Sequence, residues 1–176
     1  MADASALADQ GIHLLEAGLY EEAARAFIAA RQADPASPDL AFDLGLAWLR
    51  EGRPRDALAA FDDALRLGGE SADLLCNRGL ALFDLGKTAE AESFYRRSLL
   101  LSPGHPEAAN NLGVAMFRLG RYTEARELFM RAVAARPGYY DAWFNLRDTC
   151  AELGLDAERD EAAAMVVRLR GNGDQD

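Results

Sequence analysis

Apolar positions in this chain recur at helical spacing, and the helices they predict then recur at long range. Between Asn110 and Pro137 the sequence reads NNLGVAMFRLGRYTEARELFMRAVAARP. Leu112, Met116 and Leu119 fall three and four residues apart, which places them on one face of an α-helix of roughly fourteen residues. Gly120 ends that helix. A second runs from about Tyr122 to Ala135 with Ala125, Phe129, Ala132 and Val133 along one face, and Arg-Pro-Gly stops it. No alternating Val/Ile/Thr run stands between turn signals anywhere, so the fold class is all-α.

The same line is written along the whole chain. Gly18, Gly52, Gly86, Gly120 and Gly154 follow one another at steps of 34 residues, and Gly11, Gly45, Gly79 and Gly113 keep the same step. In register with them lie Ala23, Ala57, Ala91 and Ala125, then Phe27, Phe61, Tyr95 and Phe129. Pro35, Pro103 and Pro137 close three of the repeats, and Gly69 stands in that place in the second. Small residues such as Gly113 and Ala125 let two backbones approach, while Leu112, Met116 and Phe129 fill the surrounding space. One such hairpin cannot bury its apolar face alone, but stacked neighbours can. Ser, Asp and Pro near the start of each repeat (SPDL, SADL, HPEA) suit helix N-termini.

This pattern resembles the tetratricopeptide repeat family, whose signature is W-x-x-L-G-x-x-Y, then A-x-x-x-F, A and P on a 34-residue period. The resemblance places repeats at 4–37, 38–71, 72–105 and 106–139, with a degenerate fifth, read as a cap, at 140–170. Residues 1–170 are expected to form a single domain, and the tail 171–176 is expected to be disordered. The signature is departed from at Gln10 and Arg78, where leucine belongs, and at Arg147 and Arg159, where glycine and alanine belong. The resemblance implies an α-solenoid, a right-handed superhelix whose concave face is lined by the first helix of each repeat at positions two, five, six, nine, twelve and thirteen.

Those positions name the candidate site. Position six carries Asp9, Asp43, Asn77, Asn111 and Asn145, and Asn110 stands beside Asn111 at position five. An asparagine amide offers a donor and an acceptor, matching the backbone of an extended peptide, and in this respect the chain is similar to the peptide-binding repeats of O-linked N-acetylglucosamine transferases. The alternative is a solvated surface. Position nine gives Ile12, Leu46, Leu80 and Val114; position twelve gives Leu15, Leu49, Phe83 and Phe117; position five adds Phe42 and Phe144. These are either an apolar groove floor or side chains buried against neighbouring helices.

Charge narrows the partner. The formal net charge of -10 opposes attraction to phosphate, so nucleic acid is not an expected ligand. Positions two, six, nine and thirteen hold ten acids against Arg50 and Arg118, which would steer a basic segment with interspersed apolar residues into the groove. Asp39, Asp73, Glu107 and Asp141, at position two, equally suit helix N-termini. Repeats that hold the C-terminal carboxylate of heat-shock chaperones resemble one another in a clamp of lysines, arginine and asparagines at positions two, five, six and nine; here positions two, five and nine hold no lysine or arginine, so an acidic tail is not expected to bind by that route.

Chemistry is sparse elsewhere. His13 and His105 have no partner at metal-ligand spacing, Cys76 and Cys150 make no paired motif and read as reduced thiols, and no nucleophile motif or phosphate loop is present. The expectation is no enzyme, no cofactor and no metal. With no leader and no run of 18 apolar residues, a cytoplasmic protein without a membrane span is expected. The leading reading is a non-catalytic scaffold or adaptor that binds an extended peptide segment of a partner through Asn77, Asn110, Asn111 and Asn145 with Phe42, Leu46, Leu80, Phe83, Val114 and Phe117. The alternatives are self-assembly through Trp143, Phe144 or the last helix, a secretion-type chaperone for a client protein, and repeats cut from a larger enzyme.

Overall fold

Five helix pairs follow one another in the computed structural model, which describes residues 3–173. The helices are α1 Ala4–Glu16, α2 Tyr20–Ala33, α3 Pro38–Arg50, α4 Pro54–Gly68, α5 Ala72–Asp84, α6 Thr88–Leu101, α7 Pro106–Arg118, α8 Tyr122–Ala135, α9 Tyr140–Glu152 and α10 Asp156–Gly173, with no strand among the described residues. The fold class is therefore all-α, in tandem helix pairs. Of the tail expected to be disordered, Gly171 to Gly173 belong to α10, and 174–176 lie outside the described residues.

The repeat is visible in how helices begin and end. Asp3, Ser37, Ser71, His105 and Tyr139 are the N-caps of α1, α3, α5, α7 and α9. Ser37 Oγ accepts the Leu40 N–H at 3.3 Å and Ser71 Oγ the Leu74 N–H at 3.1 Å. His105 Nδ1 takes the same role toward Ala108 N–H at 3.4 Å, so an imidazole replaces a hydroxyl as the capping acceptor. At the other end of α3, Gly52 adopts φ 76°, a left-handed conformation that favours glycine. Its N–H reaches Leu49 O at 3.1 Å and the Arg53 N–H reaches Trp48 O at 2.8 Å, the two bonds of a Schellman stop.

Residue contacts divide the chain into two compact units, and the division falls inside α6, between Glu90 and Ala91. The first unit holds α1 to α5. Ala23, Ala24, Phe27 and Ala30 of α2 form one buried cluster with Leu40, Leu44 and Ala47 of α3, and a second joins Ala57, Phe61 and Ala64 of α4 to Leu74 and Ala81 of α5. Within each pair glycine meets a ring: a Cβ on Gly11 would stand 2.6 Å from Phe27 Cε1, and one on Gly45 2.4 Å from Phe61 Cε1. Arg78, at the leucine position of α5, reaches back to pair with Asp62 on α4. Arg31 of α2 and Arg66 of α4 both bind Asp63, each at 2.8 Å.

The second unit holds α7 to α10 and the greater part of α6. Gly113 approaches Phe129 as in the first unit, a Cβ falling 2.6 Å from Cε1. The last pair is built differently: Arg147 replaces the glycine of α9, and Ala163 stands in α10 where the aromatic ring would be, 34 residues after Phe129. The ring and the space it needs have disappeared together. Charged links tie the second helices of these pairs: Arg126 of α8 to Glu158 of α10 at 2.6 Å, and Arg96 of α6 to Glu124 of α8 at 2.5 Å.

Candidate functional site

In the second unit the first helices converge on a small cleft. Val114 and Phe117 come from α7, Phe129 from α8, and Asn145 and Asp148 from α9. Val114 and Phe117 are partly buried, and Phe117 packs edge-on against Tyr122 with ring centroids 5.1 Å apart. Their apolar atoms thus line a wall without being fully given up to the core.

The asparagines divide into different roles. Asn110 is 6% exposed, so it does not face a ligand. Its Oδ1 accepts from Asn145 Nδ2 at 3.0 Å, and its own Nδ2 donates to Asn111 Oδ1 at 3.4 Å. Buried amides need such partners, because an unsatisfied one costs about 1–3 kcal/mol. Asn110 therefore orients Asn145 and Asn111, both of which are partly exposed. Thr149 Oγ1 donates to the Asn145 backbone carbonyl at 2.7 Å and holds the same turn of α9.

In the first unit, Phe42, Leu46 and Leu80 are partly buried and pack on the core cluster of α3, α4 and α5, and the Phe42 and Phe61 rings lie 5.8 Å apart. Phe83 is partly buried as well, and Leu49 is buried. Position twelve thus lies against helices to varying extents, whereas Ile12 of α1 and, in the second unit, Phe144 of α9 are exposed. Asn77 Nδ2 donates to Asp73 O at 2.9 Å, a bond within α5.

The acids also differ. Burial, helped by the neighbouring Asp39, pushes the Asp43 carboxyl up to about 6, and burial raises Asp84. Burial works to raise Glu107, yet its backbone hydrogen bond and the Arg136 guanidinium at 2.5 Å hold it below the ordinary value. Asp148 is paired with Arg147 at 2.7 Å, and that guanidinium lies 4.0 Å over the Phe144 ring.

Arg147 is a residue that groove positions alone do not find. It belongs to none of them, yet it neutralises an acid of the cleft. The signal was its place in the repeat: a long cationic side chain where close packing asks for glycine must leave the helix contact and reach a nearby carboxylate. Arg78, a cation at the leucine position of α5, gives a related signal and pairs with Asp62. Among the described residues no three His, Cys, Asp or Glu side chains stand together in a group that could hold a metal ion, and no helix is long and apolar enough to cross a membrane.

A profile of the tetratricopeptide repeat matches the sequence over residues 8–72, 49–106, 76–140 and 111–169. Among solved structures the chain is similar to MamA, at 21% identity and a TM-score of 0.77 over 94% of this chain and 97% of that one. It is similar to YrrB, a TPR protein with an unusual peptide-binding site, at 22% identity and a TM-score of 0.68 over 96% and 87%. PilF of Pseudomonas aeruginosa matches at 20% identity and a TM-score of 0.84, over 94% of this chain and 75% of its own. At these identities the likeness is one of fold. No curated protein matches the sequence.

Proposed function

The chain belongs to the tetratricopeptide repeat family, whose repeats are generally non-catalytic scaffolds for protein–protein interaction, and from that premise we propose that it binds an extended segment of a partner protein on the first helices of its repeats. The observation that carries this reading is the Asn110–Asn145 bond beside the cleft of Val114, Phe117 and Asp148. A partly exposed amide fixed by a buried one is held in place before a ligand arrives, which lowers the ordering cost of recognising a peptide backbone. Asn111 and Asn145 are the backbone contacts; Val114 and Phe117 are the apolar contact.

Charge complementarity favours a basic segment, and it is uneven. Arg147 already satisfies Asp148 in the second unit, while in the first unit Asp39 and the partly buried Asp43 lie close enough to interact. A lysine or arginine of the partner beside Asp43 would relieve the cost of ionising it there. That YrrB carries a peptide-binding site supports the general reading.

The test is selection of binding segments from a displayed random peptide library, followed by fluorescence anisotropy with the peptides recovered. Asn145→Ala and Asn111→Ala should each weaken binding by roughly tenfold, about 1.4 kcal/mol, with the fold retained. Equal affinity for the variants and the parent protein would remove the asparagines from the proposal.

A further inference from the structure

A second surface lies away from the asparagines, on the second helices of the second unit. Between α8, α9 and α10 a cleft of about 460 Å³ is walled by Met130, Val133, Trp143 and Leu146, with Glu158 and Glu161 at its edge. The position of Met130 is filled 34 residues earlier by Arg96, which pairs with Glu92 at 2.9 Å and Glu124 at 2.5 Å and so covers that place with charge. In the fourth repeat, methionine stands there instead and is 43% exposed. Trp143 Nε1 already donates to Pro137 O at 2.8 Å, and Glu158 is bound by Arg126. What the cleft offers a visitor is apolar surface with Glu161 beside it.

The same unit carries a projection that matches it. Leu100 of α6 is 80% exposed, and Leu101 beside it 53%. Leu100 holds in α6 the repeat position that Ala134, a residue of the cleft, holds in α8, so both open on the side of the second helices. The leucine is flanked by basic residues: Arg97 and Arg131 are exposed, the latter donating to Pro103 O just beyond α6 at 3.2 Å. The cleft carries Glu161 beside the Arg126–Glu158 pair, which leaves it one net negative charge.

We propose that this face binds a second copy of the chain, as a two-fold pair in which Leu100 of each copy enters the Met130–Trp143 cleft of the other and the arginines beside the leucine meet Glu161. A face that holds both an apolar projection with basic neighbours and an apolar recess with Glu161 beside it is complementary to itself, and a two-fold axis forms both contacts at once. An exposed leucine of this size is stabilised by burial in proportion to the area it loses to water.

Sedimentation velocity from about 1 μM to about 1 mM should show a monomer–dimer equilibrium that stops at the dimer. Leu100→Asp should raise its dissociation constant by at least tenfold, roughly one hot-spot contact, with the fold intact because the side chain is exposed. Glu161→Arg should weaken the dimer and Arg97→Glu, added to it, should restore it. Since Cys76 and Cys150 are buried, a Leu100→Cys/Met130→Cys variant should form disulfide-linked dimers on mild oxidation. A strict monomer across that range, a dimer indifferent to Leu100→Asp, or growth past the dimer each overturns the proposal. So does a cleft that captures apolar peptides while the chain stays monomeric.

Discussion

Gly45 and Phe61 compete for the same volume: a methyl group on the glycine would lie 2.4 Å from Cε1 and 2.5 Å from Cδ1 of the ring, closer than carbon atoms pack. Phe61 is fully buried, so the ring cannot move aside into solvent. Gly45→Ala should therefore destabilise the protein by about 1–3 kcal/mol, the range for overpacking a filled core, although alanine is the better helix former. Combining it with Phe61→Leu should cost less than the two changes separately, as read by urea titration of a double-mutant cycle. Simple additivity would mean that the glycine is not there for the ring.

Asp43 should make the protein less stable where it is ionised. Its folded-state carboxyl is raised from 3.8 to about 6 by burial and by Asp39, so the folded chain holds its proton more tightly than the unfolded one. The penalty is present in full above the folded value and fades as pH falls from there through the unfolded value. After discounting for solvent screening of this partly exposed group, Asp43→Asn should stabilise by ~1 kcal/mol near neutral pH and by nothing measurable below the unfolded value. Asp63 should behave in the opposite sense. Hydrogen bonds from Arg31 and Arg66 hold it low, so its contribution is present near neutral pH and is lost as acid protonates it. Denaturant midpoints for Asp43→Asn and Asp63→Asn across this range check both signs.

His105 should be replaceable by the residue its neighbouring repeats use. His105→Ser should keep α7 capped, as Ser37 and Ser71 cap α3 and α5, whereas His105→Ala should lose about 0.5–2 kcal/mol. Thermal melts of the two variants give the comparison. Equal melting temperatures would show that the imidazole contributes no cap.

Asn110 and Asn145 should separate stability from binding. Asn110→Ala, which deletes a buried side chain, and Asn145→Ala, which leaves the buried Asn110 Oδ1 without its donor, should each lower stability by about 1–3 kcal/mol, while only Asn145→Ala removes a proposed peptide contact. Circular dichroism melts alongside peptide affinities give both numbers for each variant.

Much of this was legible before any coordinates. The 34-residue recurrence of glycine, alanine and phenylalanine sets the helix pairs, and the bounds predicted for α8, Tyr122 to Ala135, are those observed. Such features are local or strictly periodic: a stop glycine acts on its own backbone, and a small residue opposite a ring recurs wherever the same pair must close. The site was legible only as a set of positions. Asn110 and Asn111 are neighbours in the sequence with the same side chain, yet one is buried and the other partly exposed.

The repeat, the all-helical class and the acidity could be read without the fold, because each follows from residue identity and spacing along one dimension. The use of individual polar groups follows from the packing of the helices: Asn110 spent on Asn145, Arg147 on Asp148, Asp43 burdened by burial, and Met130 lining a cleft while Arg96, at the same repeat position, pairs with Glu92 and Glu124. Each depends on which atoms two separate helices bring within hydrogen-bonding range and how much water they exclude. A periodic pattern repeats positions faithfully, but it does not carry those distances.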